Sequence, residues 1–444
     1  MLALLLQLTG IILLRYRLGK TWLRRPVTLL FLASVIYQGV SAVLLTPSSV
    51  GAWDYFRKGI APQYTGDAAL LLSAAMLAFV ITYLMTKPQR AIALPADPRA
   101  LARTLDWRVA AALCAPLALL TYAGRGASSG TGMDGAATSL THDLAATFFT
   151  TLAVTAACGA VLRHGTRWFL PVLATQSLIL AAAGERGPVL AGAVALLLML
   201  AFVGARPSRA QLNAAAALTI LAVLAIGGVR AVQGRTLFYS DSGLQARAAG
   251  LGSAVTSLGS GPQQGPGLAE QAATRLDGNA FAAGVLQAHV IGQPRLDPAA
   301  VPQSLLITVP SALWPSKLNS GAALDPVQAE TDDFGLQQVN LLPTLPGLYA
   351  GYLSPPWLVM LLALLGAAAG WGERWLLRTC TPARLVMLAG AVMAVFTYEA
   401  GLPEMLLELR SAAVIAAGVW ALERVRRRVR VAHWQSDPAL PVIR

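Results

Sequence analysis

The sequence predicts an all-α protein threaded many times through a membrane, and three observations predict it. Of 444 residues, 56% are hydrophobic and 12% charged, with a mean hydropathy of +0.59, outside the range of a soluble globular domain. The apolar residues fall in separate runs of roughly 17–20, the length that carries a helix across a hydrocarbon core ~30 Å thick. The runs are rich in Leu and Ala and lack the period-2 alternation of a barrel strand, which leaves helices as the spanning element.

The runs number about eleven by this length criterion: 2–14, 27–46, 67–86, 108–123, 144–162, 168–184, 188–205, 211–229, about 353–371, 382–398 and 404–422. The first is short, and its basic residues (Arg15, Arg17, Lys20, Arg24, Arg25) follow the apolar run. A cleavable signal peptide has the reverse order, so the expectation is a retained helix with its N-terminus outside.

Basic residues then fall on alternate loops. One side receives Arg15 to Arg25, Lys87 to Arg108, Arg163 and Arg167, Arg206 and Arg209, Arg374 to Arg384, and the tail from Arg424 onward. Most of the 34 Lys and Arg lie there, in short segments where the positive-inside rule applies. That side is expected to be cytoplasmic, with the C-terminus inside. The formal charge of +13 therefore reads as topology, and no nucleic-acid partner follows. The three cysteines, Cys114, Cys158 and Cys380, suggest neither a disulfide nor a metal site.

This layout divides the chain into an N-terminal bundle of about eight helices over 1–229, an extracytoplasmic loop over 230–350, C-terminal helices over 351–425 and a basic tail over 426–444. From Arg230 to Pro346 the loop has six basic and eight acidic residues, as expected of a translocated segment. A Gly/Pro-rich break at 259–267 precedes a predicted helix over 268–290.

Three groups of charged residues need a reason. Gly184-Glu185-Arg186-Gly187-Pro188 is wedged between two apolar runs. Pro188 suits a first helical turn, and a helix N-terminus beside Arg186 could hold a phosphate; the same residues also fit an ion pair at a hairpin tip. Glu404, Glu408 and Arg410 lie in the last run. Glu404 and Glu408 share a face, and Arg410 points about 200° away from Glu408, so its partner must come from another helix or a ligand, unless it snorkels to the interface. Arg275, Asn279 and His289 share one face of the predicted loop helix. They fit a lid over a sugar-phosphate cavity, with His289 as acid or base, or equally a face turned to water. Lys317 with Glu330, Asp332 and Asp333 forms a later polar cluster that makes a weak metal signal, and no metal site is assigned.

No Walker loop, Rossmann fingerprint, zinc motif or nucleophile elbow is present. No cofactor is expected, and the energy of any reaction must come from the substrate. Three segments carry a resemblance: 183–190 (AGERGPVL) opening a helix, 309–317 (VPSALWPSK) in the loop, and 345–352 (LPGLYAGY) leading into the next span. In these the chain resembles the bacterial oligosaccharide repeat-unit polymerases of the O-antigen (Wzy) type.

The resemblance implies a membrane glycosyltransferase architecture of the GT-C-like kind. It also implies metal-independent transfer of a glycan from undecaprenyl diphosphate onto a new lipid-linked repeat unit, on the outer face of the membrane. Arg186, Arg275, Arg410 and Lys317 would then bind the diphosphate, Glu185, His289 or Glu404 would act as base, and Asn279 and Tyr349 would contact the acceptor. Besides substrate and membrane lipid, a chain-length regulator and a flippase would be partners. Two rival readings are a transporter or flippase for a lipid-linked or anionic solute, and a glycan ligase or other lipid-linked-sugar glycosyltransferase.

Overall fold

The computed structural model describes residues 1–44, 60, 62–86, 107–108, 110–112, 114, 134–182, 186–233, 277–309, 314, 333–334 and 343–435. Among them there is no strand. The helices are α1 (Leu2–Leu18), α2 (Pro26–Ser34, continuing through a π turn Val35–Val40 into Ser41–Leu44), α3 (Pro62–Met85), α4 (Asp134–His164), α5 (Phe169–Ala182), α6 (Arg186–Val203), α7 (Arg209–Gln233), α8 (Ala280–Val290), α9 (Ala300–Leu305), α10 (Pro355–Leu377), α11 (Pro382–Phe396) and α12 (Leu402–Gln435).

Five described segments are long and apolar enough to cross a membrane: Leu2–Arg24, Pro26–Val43, Gln63–Met85, Pro355–Leu377 and Leu402–Val425. The protein is thus an all-α membrane protein. The first run is longer than its apolar stretch suggests, because a 3₁₀ segment Gly19–Arg24 continues α1. Helices α4 to α7 and α11 occupy the remaining expected runs, except 108–123, most of which lies outside the described residues.

Helix starts follow the sequence. Pro26, Pro355 and Pro382 each sit in a first turn, where the missing N–H costs nothing. Thr381 accepts from the Arg384 N–H as an N-cap.

The most extensive interface is α3 against α10, and small residues make it possible. A Cβ on Gly366 would lie 2.2 Å from the Phe79 carbonyl oxygen, and one on Gly370 would lie 2.2 Å from Thr86 Oγ1. Gly366-Ala-Ala-Ala-Gly370 is thus a small-xxx-small stripe that lets two backbones touch. Thr82 Oγ1 uses the proximity to donate across the interface to the Ala363 carbonyl at 2.6 Å. Gly366→Leu is expected to destabilise the fold by about 1–3 kcal/mol or more through overpacking against immovable backbone. Gly372→Leu, where a Cβ meets nothing within 4 Å, should leave melting in detergent nearly unchanged.

The contacts also give each helix its direction. Arg25, which precedes α2, meets Glu373 near the end of α10, and the Arg374 guanidinium donates to the Thr86 carbonyl at the end of α3. Gln211 at the start of α7 donates to the Thr166 carbonyl between α4 and α5, and Phe169 packs in one cluster with Leu376, Leu377 and Leu385. Arg25, Arg163, Arg167, Arg206, Arg374 and Arg384 therefore share one end of the bundle. The opposite end carries the described parts of the long loop and the 397–401 turn.

The predicted loop helix differs from expectation. The structure starts α8 at Ala280, after Asn279, and residues 268–276 lie outside the described residues. Helix α8 is not a polar lid. Ala280 to Val285 and Ala288 are buried, in the same core as α1, α2, α3 and α10. Its sequence, AFAAGVLQAHV, is apolar on nearly every side, and such a helix buries itself instead of roofing a wet cavity.

Candidate functional site

The polar centre of the loop-bearing end is built on the π turn of α2, a distortion that often marks functional positions. The Tyr37 carbonyl accepts the Gly278 N–H at 3.1 Å. The Gln38 carbonyl accepts Asn279 Nδ2 at 3.1 Å, and the same nitrogen reaches Ser41 Oγ at 2.9 Å. Only glycine fits at 278, because a Cβ there would stand 2.9 Å from Tyr37 Cβ and Thr344 Cγ2.

The Gln38 carboxamide is fixed at both ends. Its Oε1 accepts from the Tyr398 hydroxyl at 2.7 Å, and its Nε2 donates to Thr344 Oγ1 at 3.3 Å. Thr344 in turn donates its backbone N–H to the Glu399 carbonyl at 3.0 Å. At φ 54° Thr344 is the described non-glycine residue in left-handed backbone, a conformation that costs on the order of 1 kcal/mol or more and persists where the surroundings impose it.

Above this hub the Tyr37 hydroxyl donates to Glu399 Oε1 at 2.6 Å, and the Tyr37 and Tyr398 rings stack at 5.7 Å. Glu399 is half-buried, so a firmly positioned carboxylate stays within reach of a ligand.

Arg410 lies eight residues into α12, about 12 Å from its start at 1.5 Å per residue. Its guanidinium donates to the Thr308 carbonyl at 2.6 Å, in the 3₁₀ turn Leu306–Thr308 that follows α9. That bond is to the long loop, and the Glu404 carboxylate on α12 itself adds a favourable electrostatic contact. One carbonyl takes up one of five guanidinium donors, and Arg410 is half-buried. Leu406, one turn before Arg410, lines a cavity of ≈ 380 Å³ together with Leu402, Met405 and Leu409. The cavity is almost wholly apolar and runs between α2, α3, α10, α11 and α12, from Leu345 to Pro26 and Glu373.

Other expected site residues are placed differently. Asn279 is fully buried and holds the loop onto α2, a structural post with no open face for an acceptor sugar. Tyr349 is 1% exposed and its hydroxyl meets Ser304 Oγ at 2.9 Å, so it too is packing. His289 stands edge-on to Phe334, with Nδ1 3.2 Å from the Gln293 carbonyl oxygen, at the far end of α8 from Asn279. Glu404 is exposed, on the side of α12 away from the cavity. Arg186 opens α6 as expected, but its side chain lies outside the described set, as do Glu185, Arg275 and Lys317. Among the described residues no group of His, Cys, Asp and Glu could hold a metal ion.

Sequence reasoning missed Glu399, Tyr37 and Gln38. Glu399 was visible as an acid in the tight YEAGLP turn between two apolar runs. No local signal revealed Tyr37 and Gln38, which are polar residues inside an apolar run. No family model, no curated protein and no solved structure matches the chain.

Proposed function

We propose that this protein is a membrane glycosyltransferase that polymerises lipid-diphosphate-linked oligosaccharides. One juxtaposition carries the reading: the Arg410 guanidinium flanks an apolar cavity within the membrane helices, and a held carboxylate, Glu399, sits in the turn that leads into the same helix, whose first residue is about 12 Å from Arg410. A lipid diphosphate needs these three features, namely cationic donors for the leaving group, an apolar slot for the tail, and a base for the acceptor hydroxyl. Neither bond making nor bond breaking requires an added energy source, because cleavage of the sugar–diphosphate bond drives transfer. The basic end of the bundle would face the cytoplasm by the positive-inside rule, which turns Arg410 and Glu399 outward. The acceptor hydroxyl would lose its proton to Glu399 as its oxygen attacks the anomeric carbon, and the diphosphate would depart toward Arg410.

Arg410→Ala is expected to lower polymerisation by about 10²–10³-fold, the usual scale for a group that stabilises developing charge, while Arg410→Lys retains part of it. The readout is the length ladder of surface glycan in cells whose only copy is the variant. Ladders of normal length in Arg410→Ala would remove this residue from the mechanism.

A transport reading is favoured by a different observation, the buried Arg25–Glu373 pair at the other end of the same cavity, where ionisable groups in membrane proteins often line a path. Purified protein that lengthens lipid-linked glycan in detergent, with no second compartment, would exclude transport as the sole activity.

A further inference from the structure

The apolar slot between the helices is open along one side. Helix α10 packs along α3 and α11 along α12, whereas α10 and α11, though consecutive, touch at few points. Ala368, Gly372 and Trp375 of α10 line the slot and are also exposed. Their spacing of four and then three residues puts them on one helix face, so the slot meets the bilayer along this strip. From Ala368 to Trp375 the strip runs toward the Arg-rich end of the bundle, away from Arg410.

At that end the strip meets cations. The Arg384 guanidinium lies over the Trp375 ring, 4.9 Å from its centroid, and donates to the Thr379 carbonyl at 3.3 Å and to the Thr379 hydroxyl. Both acceptors are neutral. Arg378 is exposed and near enough to repel Arg384, and neither arginine meets a carboxylate among the described residues. The acid nearest in the chain, Glu373, is engaged by Arg25. Two like charges held together at the rim of an apolar slot are relieved by an anion between them. Trp371 and Trp375, 68% and 53% exposed, give the depth, because indole rings of membrane proteins gather at the level of the lipid head groups. Arg378 and Arg384 follow just beyond, where basic side chains between helices meet lipid phosphates.

We propose that the slot and its rim bind an anionic phospholipid from the leaflet at the Arg-rich end, with the phosphodiester between Arg378 and Arg384 and one acyl chain lying in the Ala368–Gly372–Trp375 opening. A guanidinium offers a phosphate two parallel N–H donors, and the Trp375 ring holds that of Arg384 in place. A zwitterionic lipid fits less well, because its ammonium would meet the same two cations. The binding does not depend on glycosyl transfer, and its readout involves no glycan.

Thermal unfolding of the full-length protein in a neutral detergent tests the site, with phosphatidylglycerol, phosphatidylcholine and glycerol 1-phosphate as probes. Phosphatidylglycerol is expected to raise the melting temperature by several degrees, and the other two to leave it nearly unchanged. Arg378→Gln combined with Arg384→Gln is expected to reduce the phosphatidylglycerol shift to the phosphatidylcholine level. Should that variant fail to fold, Arg378→Gln alone, at an exposed position, is expected to weaken the shift. Gly372→Leu, which narrows the opening, is expected to weaken it with both arginines in place. Arg206→Gln combined with Arg209→Gln, at exposed positions of the same end, is expected to leave it whole. The assignment is overturned by an equal shift with phosphatidylcholine or with glycerol 1-phosphate, by a shift that survives the arginine substitutions at 378 and 384 or the leucine at 372, or by an equal loss in the 206 and 209 variant.

Discussion

Glu373→Ala is expected to destabilise the protein by about 3–5 kcal/mol, the scale on which breaking a buried ion pair leaves an uncompensated charge. Arg25 Nη1 lies 2.6 Å from Glu373 Oε1, with side-chain exposures of 0% and 3%. The Tyr83 hydroxyl donates to the same oxygen at 2.5 Å. Removing the carboxylate takes the nearest anion from a fully buried guanidinium and an acceptor from the Tyr83 phenol, where α10 meets α3. The double change Arg25→Met with Glu373→Leu removes both charges and should recover most of the loss, because well-packed apolar residues often replace a buried pair at little cost. Thermal unfolding in detergent measures both. A double variant as unstable as the single one would show that the loss comes from packing at 373 and not from the stranded charge.

Glu399→Gln is expected to lower glycan polymerisation by about 10²–10⁴-fold, the range of a lost general base, with little change in melting temperature. The amide keeps the shape of the side chain and can still accept from Tyr37, so the hub around Gln38 stays intact. Tyr37→Phe should give a smaller loss, since it frees the carboxylate to turn without removing it. The measurement is initial rate on lipid-linked substrate with purified protein. Unchanged rates in Glu399→Gln would leave Glu399 with a purely structural part in the 397–401 turn.

How much of this was legible in the sequence depended on the range of the interaction. The helices were readable because each is a local run of apolar residues of fixed length, and the end of α10 was misjudged for the same reason. The run was expected to stop near 371, since Glu373 and Arg374 look like loop residues, yet α10 continues to Leu377. The acid is tolerated because its partner, Arg25, is 348 positions away in the chain, and no local window could pair them. Arg410 was recognisable as a charge in the wrong solvent, and helical angles alone put it on a different side of α12 from Glu408. The identity of its hydrogen-bond acceptor, the Thr308 carbonyl, did not follow from them, because it depends on how the loop folds back. The loop helix failed in an instructive way. The spacing puts Asn279 and His289 on one helical face, but the helix begins after Asn279, and that residue instead bonds to the π turn of α2, a distortion that apolar periodicity does not encode.

The Arg25–Glu373 clasp also sets a timetable for biogenesis. Translation proceeds at about 5–20 residues per second, so the 348 positions between the two residues keep the nascent guanidinium waiting for roughly 20–70 s. The first helices are therefore made well before α10 emerges, and a ribosome stalled before codon 373 would leave Arg25 without its acid.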